Sequence, residues 1–230
     1  MCGRKTLTRD MLSIIEELAV EEWEDPDNYF PSYNITPTQS TPVLFFSSKR
    51  SVKSMRWGLI PSWAKDTSIG AKLINARSET ILEKPSFKNL VPRQRCIIIA
   101  DGYYEWKKSS SKTRPFYIRH QENKLLPMAG LWDTWKNPQG EYVSTYTVIT
   151  TSPAENISHI HNRMPVILED RDISLWIKTK DSSLQQALGL LKPLEGQLKS
   201  FEVSNFVNSP RHNSAQCINP LEAGLNLGLF

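Results

Sequence analysis

Short runs of β-branched and aromatic residues, each broken by Gly, Pro or Ser, set the tightest limit on how this chain can fold. Residues 43–46, 95–100, 116–118 and 142–150 are of this kind and of strand length. Helical periodicity is confined to the two ends. Thr8 is placed to cap a helix through Met11, Ile14, Ile15 and Leu18, and residues 152–160, 173–177 and 183–191 read as later helices. Between them, residues 25–37 read as a Pro/Asn-rich loop and residues 107–112 as an exposed hairpin tip. This order is α+β, without the regular βαβ alternation of a doubly wound sheet.

The 230 residues are 39% hydrophobic and 23% charged, enough for one sizeable core and too apolar for a disordered chain. No apolar run approaches the roughly 20 residues of a membrane-spanning helix, and the charged start, residues 1–9, has no signal-peptide core, so a soluble intracellular protein is expected. Three cysteines, Cys2, Cys96 and Cys217, lack C-x-x-C spacing, which argues against a disulfide framework or a zinc cluster. Charge is uneven: residues 1–48 hold 3 basic and 8 acidic side chains, whereas residues 49–124 hold 17 and 6, a net of +11. Such a basic block is either a polyanion-binding face or a solvated exterior.

Cys2 stands out by position. Loss of Met1, which a small neighbour permits, leaves an amine and a thiol on adjacent carbons, with reference pKa values of about 8 and about 8.5. This 1,2-aminothiol can work as an N-terminal nucleophile, the amine serving as base for the thiol, or it can condense with an aldehyde and close to a thiazolidine. A terminal cysteine without a role is the alternative. Cys96, inside Cys96-Ile97-Ile98-Ile99, reads as a core thiol. Strand-like alternation in residues 73–77 puts Asn75 and Arg77 on one face, an amide beside a phosphate-binding guanidinium, or else an Asn at a strand end and an exposed Arg. After Gly102, Glu105 alternates with Tyr104 and Trp106. An apolar surround would raise its pKa toward a general-acid role, while pairing with Lys107 or Lys108 would make it a surface group.

Ser152-Pro153-Ala154-Glu155 has capping-box spacing, and Pro165 disfavours helix at Met164, so the expected helix ends near His161. On that helix Ile157, Ile160 and His161 share the inner face, whereas His159 pairs outside with Glu155. Trp57 and Trp63 bracket a Gly/Pro-interrupted loop; Trp57 is expected inside and Trp63 nearer the surface, where it would offer a stacking face to an unpaired base.

Taken together, these pieces resemble the SOS-response-associated peptidase family of abasic-site processing proteins. The resemblance rests on Met1-Cys2-Gly3-Arg4, Asn34-Ile35-Thr36-Pro37-Thr38-Gln39, Trp57-Gly58-Leu59-Ile60-Pro61, Asn75-Ala76-Arg77-Ser78-Glu79-Thr80, Asp101-Gly102-Tyr103-Tyr104-Glu105-Trp106 and His161-Asn162-Arg163-Met164-Pro165, in family order. It implies one compact domain over residues 1–230, with a mostly antiparallel, barrel-like β core, flanking helices and a DNA groove leading to Cys2. Cys2 is then the nucleophile; Asn75 holds the N-terminal group or the opened sugar; Glu105 assists ring opening and proton transfer; His161 is a further acid/base. Arg4, Arg77 and Arg163 would bind flanking phosphates, and Pro37, Trp63 and Thr150 would line the DNA path. The implied partner is single-stranded DNA with abasic sites, bound by a cytoplasmic monomer without metal or organic cofactor. The runner-up is an N-terminal-nucleophile peptidase or amidase with the same groups, and a third reading is a noncovalent DNA-binding module.

Overall fold

The computed structural model describes residues 2–109 and 112–221. Thirteen strands carry most of the regular structure. In chain order they are β1 (Lys5–Leu7), β2 (Glu22–Trp23), β3 (Ser32–Ile35), β4 (Ser40–Phe46), β5 (Arg50–Trp57), β6 (Asn75–Arg77) and β7 (Arg95–Ile98). There follow β8 (Gly102–Lys108), β9 (Thr113–His120), β10 (Met128–Lys136), β11 (Tyr142–Thr151), β12 (Met164–Pro165) and β13 (Leu198–Glu202). Helices α1 (Met11–Leu18), α2 (Asp170–Ile177) and α3 (Leu184–Gly189) lie at the two ends of the sequence.

Strands β11, β10, β7, β4 and β5 pair in that order, all antiparallel, and β5 returns to β11 in parallel through Thr145 opposite Arg56 and Tyr146 opposite Trp57. These five strands therefore close into a barrel, which leaves no open edge within the ring. β2, β6 and β12 extend this sheet outside the ring. A second, antiparallel sheet has the order β13-β9-β8-β1-β3. One apolar cluster fills the interior and takes in Cys2, Trp57, Ile97, Tyr103 and Trp176, all fully buried. The α+β, barrel-like, largely antiparallel architecture with flanking helices is the one expected.

Several local expectations are corrected. Thr8 does not cap α1, because its amide and hydroxyl both donate to the Asp101 carboxylate at 2.6 Å; Asp10 caps the helix instead, accepting from the Ser13 amide at 2.9 Å. The segment 25–37 is not all loop, since β3 lies within it, opposite β1. Its polar Asn34 is buried and donates to the carbonyls of Val207, Ser209 and His212, so a strand position that looks unfavourable in the sequence is satisfied by the chain's later turns. The helix expected over 152–160 is only a 3-10 turn, Glu155–Ile157. Thr151 pairs with Met164, so the chain between them must return to its starting point. A straight α-helix advances about 1.5 Å per residue and carries its ends apart, so the segment folds back through turns. Asn156 fixes it by donating to the Leu198 carbonyl at 2.6 Å. Ser110 and Ser111, the middle of the expected hairpin tip, lie outside the described residues, as do Met1 and residues 222–230 of the expected domain.

At the barrel seam Gly58 has φ +118°, and a Cβ there would come within 2.7 Å of the Gly70 carbonyl oxygen. Its own amide donates to Tyr146 at 2.9 Å, continuing the β5–β11 contact. Gly58→Ala must strain the backbone or part the two loops. The expected loss is about 2 kcal/mol or more, lowering Tm by roughly 4–8 °C. An unchanged melting curve would show that the seam does not depend on this glycine.

Candidate active site around Cys2

The extended chain before β1 carries Cys2 into the main core, where the residue has no exposed surface. Asn75, the first residue of β6, donates its side-chain amide to the Cys2 carbonyl at 2.8 Å. β6 can do this because it adds in parallel to β11, Val148 opposite Asn75 and Thr150 opposite Arg77. The other atom of the Asn75 amide, Oδ1, is buried and has no hydrogen-bond partner among the described residues. An unused acceptor beside the chain start is suited to hold an amine or a sugar hydroxyl.

β8 supplies the next two groups. Tyr103 lies opposite Lys5 of β1, and the alternation of the strand sets Glu105 on the same inner face. Both are almost wholly buried, and among the described residues the Tyr103 hydroxyl has no hydrogen-bond partner. Burial pushes the Glu105 carboxyl up to about 7. Burial also pushes the Cys2 thiol up to about 12, reinforced by Glu105 and opposed first by the N-terminal ammonium, then by Lys5 and by an Arg4 backbone hydrogen bond. The thiol is thus protonated at rest, beside a carboxyl group poised to exchange a proton at neutral pH.

His161 lies with Nε2 3.9 Å from the Glu105 carboxylate, its side chain partly exposed. His161 Nδ1 lies 3.1 Å from the Arg163 amide, which donates to it, and 3.3 Å from the Arg163 carbonyl, so the turn holds the ring with Nε2 facing Glu105. Partial burial lowers the histidine pKa, so the neutral ring is favoured. The inward orientation is as expected, but it arises from a turn and not from a helix face. His159 is exposed, with its ring edge-on to Phe116 at 6.4 Å.

The residues expected along a DNA path divide into two groups. Trp63 is 60% exposed, and Arg77 is exposed at the end of β6. Pro37 is half-buried in a turn whose next amide, that of Thr38, donates to the Trp57 carbonyl at 2.9 Å. The Trp63 loop is pinned by the Ser62 amide on Asp133 at 2.8 Å and by the Trp135 indole on the Ala64 carbonyl at 2.7 Å. The remaining residues are engaged internally. Arg163 forms a two-pronged pair with Glu79 at 2.6 and 2.9 Å and donates to the Thr150 carbonyl at 2.6 Å. Thr150 itself is fully buried. Arg4 donates to the Asn34 side chain at 2.6 Å and to the Val207 carbonyl at 2.8 Å, with its guanidinium 5.5 Å from the Trp106 ring centre.

Two participants were not singled out from the sequence. Glu79, two residues after Arg77 in a quoted motif, ties the β6 segment to the His161 turn through Arg163. Lys5, three residues after Cys2, is fully buried. Among the described residues no group of acidic, cysteine or histidine side chains could hold a metal ion, and no helix is long and apolar enough to cross a membrane.

Comparison with known proteins gives the family of the chain. Residues 1–210 match the family described as SOS response associated peptidase (SRAP). The chain is 42% identical over 221 residues to the abasic site processing protein YoqW of Bacillus subtilis (strain 168), covering 95% of this chain and 99% of that protein. It is 37% identical over 237 residues to the abasic site processing protein HMCES of Gallus gallus, covering 89% of this chain and 70% of that one. A crystallised protein from Bacteroides thetaiotaomicron shares the fold with a TM-score of 0.87 at 25% identity, over 96% of this chain and 100% of the other. A family match over residues 1–210 and relatives 42% identical over nearly the whole length show that this chain belongs to the SOS response associated peptidase family.

Proposed function

We propose that the protein captures abasic sites in single-stranded DNA by forming a thiazolidine between Cys2 and the opened sugar, shielding the lesion during the DNA damage response. The observation that carries this reading is the joint burial of the Cys2 thiol and the Glu105 carboxyl, with Asn75 bonded to the Cys2 carbonyl. The relatives named as abasic site processing proteins support the same substrate.

Removal of Met1 supplies the amine. Glu105 as carboxylate takes the C1′ hydroxyl proton of the closed sugar, the ring C–O bond breaks, and Glu105 returns that proton to the ring oxygen as the aldehyde forms. The Cys2 amine adds to C1′, and its two protons pass in turn by way of Glu105 to the former carbonyl oxygen, which leaves as water as the imine forms. The thiol sulfur then bonds to C1′; its proton passes by way of Glu105 to the nitrogen, and the C=N bond becomes C–N. One water is lost overall and nothing is oxidised. His161, with Nε2 3.9 Å from the Glu105 carboxylate, serves as the further acid/base beside it. An imine that the thiol does not close can lose a C2′ proton and expel the 3′ phosphate, which would give a lyase activity. The same thiol and carboxylate would serve self-cleavage of the bond after Met1, the peptidase reading of these groups.

A strand entering this site passes exposed Trp63, Lys65, Lys72 and Arg77, an indole among cations on the segments leading to Asn75. Stacking on Trp63 requires unpaired bases and so favours single strands. Arg163, Thr150 and Arg4 act from within the wall, Arg163 meeting a phosphate only as Glu79 yields it. We further propose that one 1–230 domain acts as a monomer on each site, in the cytoplasm and on the nucleoid when DNA-bound.

Mass spectrometry should find Met1 absent, and abasic single-stranded DNA should give a denaturation-resistant adduct of one protein per site. Intact DNA should give none, and a retained residue before Cys2 should abolish it. If protein with a free Cys2 binds abasic strands and yields no stable adduct, the capture function is wrong. A second measurement is the adduct rate against pH. Because Glu105 starts as the base and its pKa is raised to about 7, the rate should rise as pH climbs to that value. Glu105→Gln should flatten this rise and slow adduct formation by about 10²-fold. His161→Ala should also slow it and His159→Ala should not; the reverse order would refute the assignment of the inner histidine. For the DNA path, Trp63→Ala should weaken single-strand binding by about 1–3 kcal/mol. Arg77→Ala should reduce the log–log salt slope of binding by about 1. Equal binding of duplex and single strand would count against the path.

A further inference from the structure

The ion pair of Glu79 with Arg163 joins a residue in open water to one set within the wall of the site. The Glu79 side chain is 52% exposed and that of Arg163 only 14%. Glu79 belongs to the short turn Ser78–Thr80 directly after β6, so it follows Arg77 by two residues and Asn75 by four. Both of its oxygens lie on the guanidinium, Oε1 accepting from Nη1 at 2.6 Å and Oε2 from Nη2 at 2.9 Å. A guanidinium edge of this kind takes two phosphate oxygens in the same parallel geometry. The third nitrogen, Nε, is buried and has no hydrogen-bond partner among the described residues, so the edge under Glu79 is the one a ligand can reach. Glu79 and a phosphate therefore compete for it.

Two features make Glu79 the exchangeable partner. Arg163 is anchored without it, because Nη2 also donates to the Thr150 carbonyl at 2.6 Å and the Arg163 amide donates to His161 Nδ1 at 3.1 Å. Glu79, for its part, borders an open cleft with Ile81, Leu82, Leu188 and Leu191, which gives its side chain space to turn away. We propose that Glu79 is a tethered competitor for DNA phosphate at Arg163, a residue that limits how tightly the site holds an undamaged strand. Binding exchanges one anion on the guanidinium for another: the pair with the carboxylate breaks, the pair with the phosphate forms, and Glu79 turns out to water. The contact then orients the strand beside His161 and adds little net affinity, since the bond gained is offset by the bond lost. Intact single strands leave readily, and lasting retention falls to the covalent step at Cys2. The inference rests on the reading of single-stranded DNA as the ligand, and not on the thiazolidine.

The test is noncovalent binding of a fluorescent, undamaged single-stranded oligonucleotide, read by anisotropy between about 50 and about 200 mM salt. Wild type is compared with Glu79→Gln, which keeps shape and drops charge, with Arg163→Ala, and with both changes together; melting curves establish that each is folded. Glu79→Gln should tighten binding by about three- to fivefold, the worth of a part-exposed ion pair, and leave the log–log salt slope unchanged, since Arg163 neutralises one phosphate in either protein. Arg163→Ala should lower that slope by about 0.7 to 1, and in its background the gain from Glu79→Gln should shrink. Absence of tightening would overturn the inference, because Glu79 then does not compete. A slope made steeper by Glu79→Gln, or left unchanged by Arg163→Ala, would overturn it as well, because the wild-type pair then stays closed on DNA. Abasic strands judge the capture reading separately. The expected behaviour on intact strands without any adduct on abasic ones leaves the inference standing and removes the capture function, whereas adducts formed with no effect of Glu79 on binding do the reverse.

Discussion

β11 is the strand on which the rest of the structure depends. It pairs with β10 and β5 to close the barrel, and it also carries β6 and β12. Without the parallel contact to β5 the ring has two open edges, and the apolar cluster loses its wall at Tyr146 and Trp57. The site uses the same strand. β6 brings Asn75 to Cys2, and β12 ends the turn that presents His161. Thr150, near the end of β11, accepts from Arg163 between them. Barrel closure and assembly of the site are therefore one event, and a shift of register along β11 would move Asn75 and the histidine turn together.

Desolvation is the common cause of the site's unusual acid strengths. It makes the Cys2 thiol harder to ionise and holds the Glu105 carboxyl near neutrality, while making the Lys5 ammonium easier to discharge. All three shifts favour the uncharged form of the group, because burial penalises charge of either sign. Stability follows the same logic. Glu105 is raised in the folded state, so folding favours its neutral form; this contribution is complete below the ordinary carboxylate range and is lost as pH rises through about 7.

Where side chains act through their own strand, the site was legible in the sequence. Alternation set Glu105 apart from Tyr104 and Trp106, and the Gly/Pro-broken loop separated a buried Trp57 from an exposed Trp63. The position of Cys2 suggested its chemistry before any fold was known. What was hidden depends on partners far along the chain. Asp101 draws Thr8 away from the helix that its spacing promised, and turns near residue 210 satisfy Asn34 in a strand that reads as a loop. Capping-box spacing at Ser152 promised a helix because the return of the chain from Thr151 to Met164 is a pairing fact, invisible to local pattern. Lys5 was missed because a lysine near a chain start reads as solvated, and only the closure of two sheets around it removes the water.

The pinned loop around Trp63 bears on the thermodynamics of recognition. Its backbone is tied to Asp133 on one side, and its Ala64 carbonyl to Trp135 on the other, yet the indole between them remains in water. A flexible platform would surrender conformational entropy on meeting its ligand. Here the backbone share of that ordering is already met when the barrel forms, so a base stacking on this indole, as proposed, would draw less from the binding free energy.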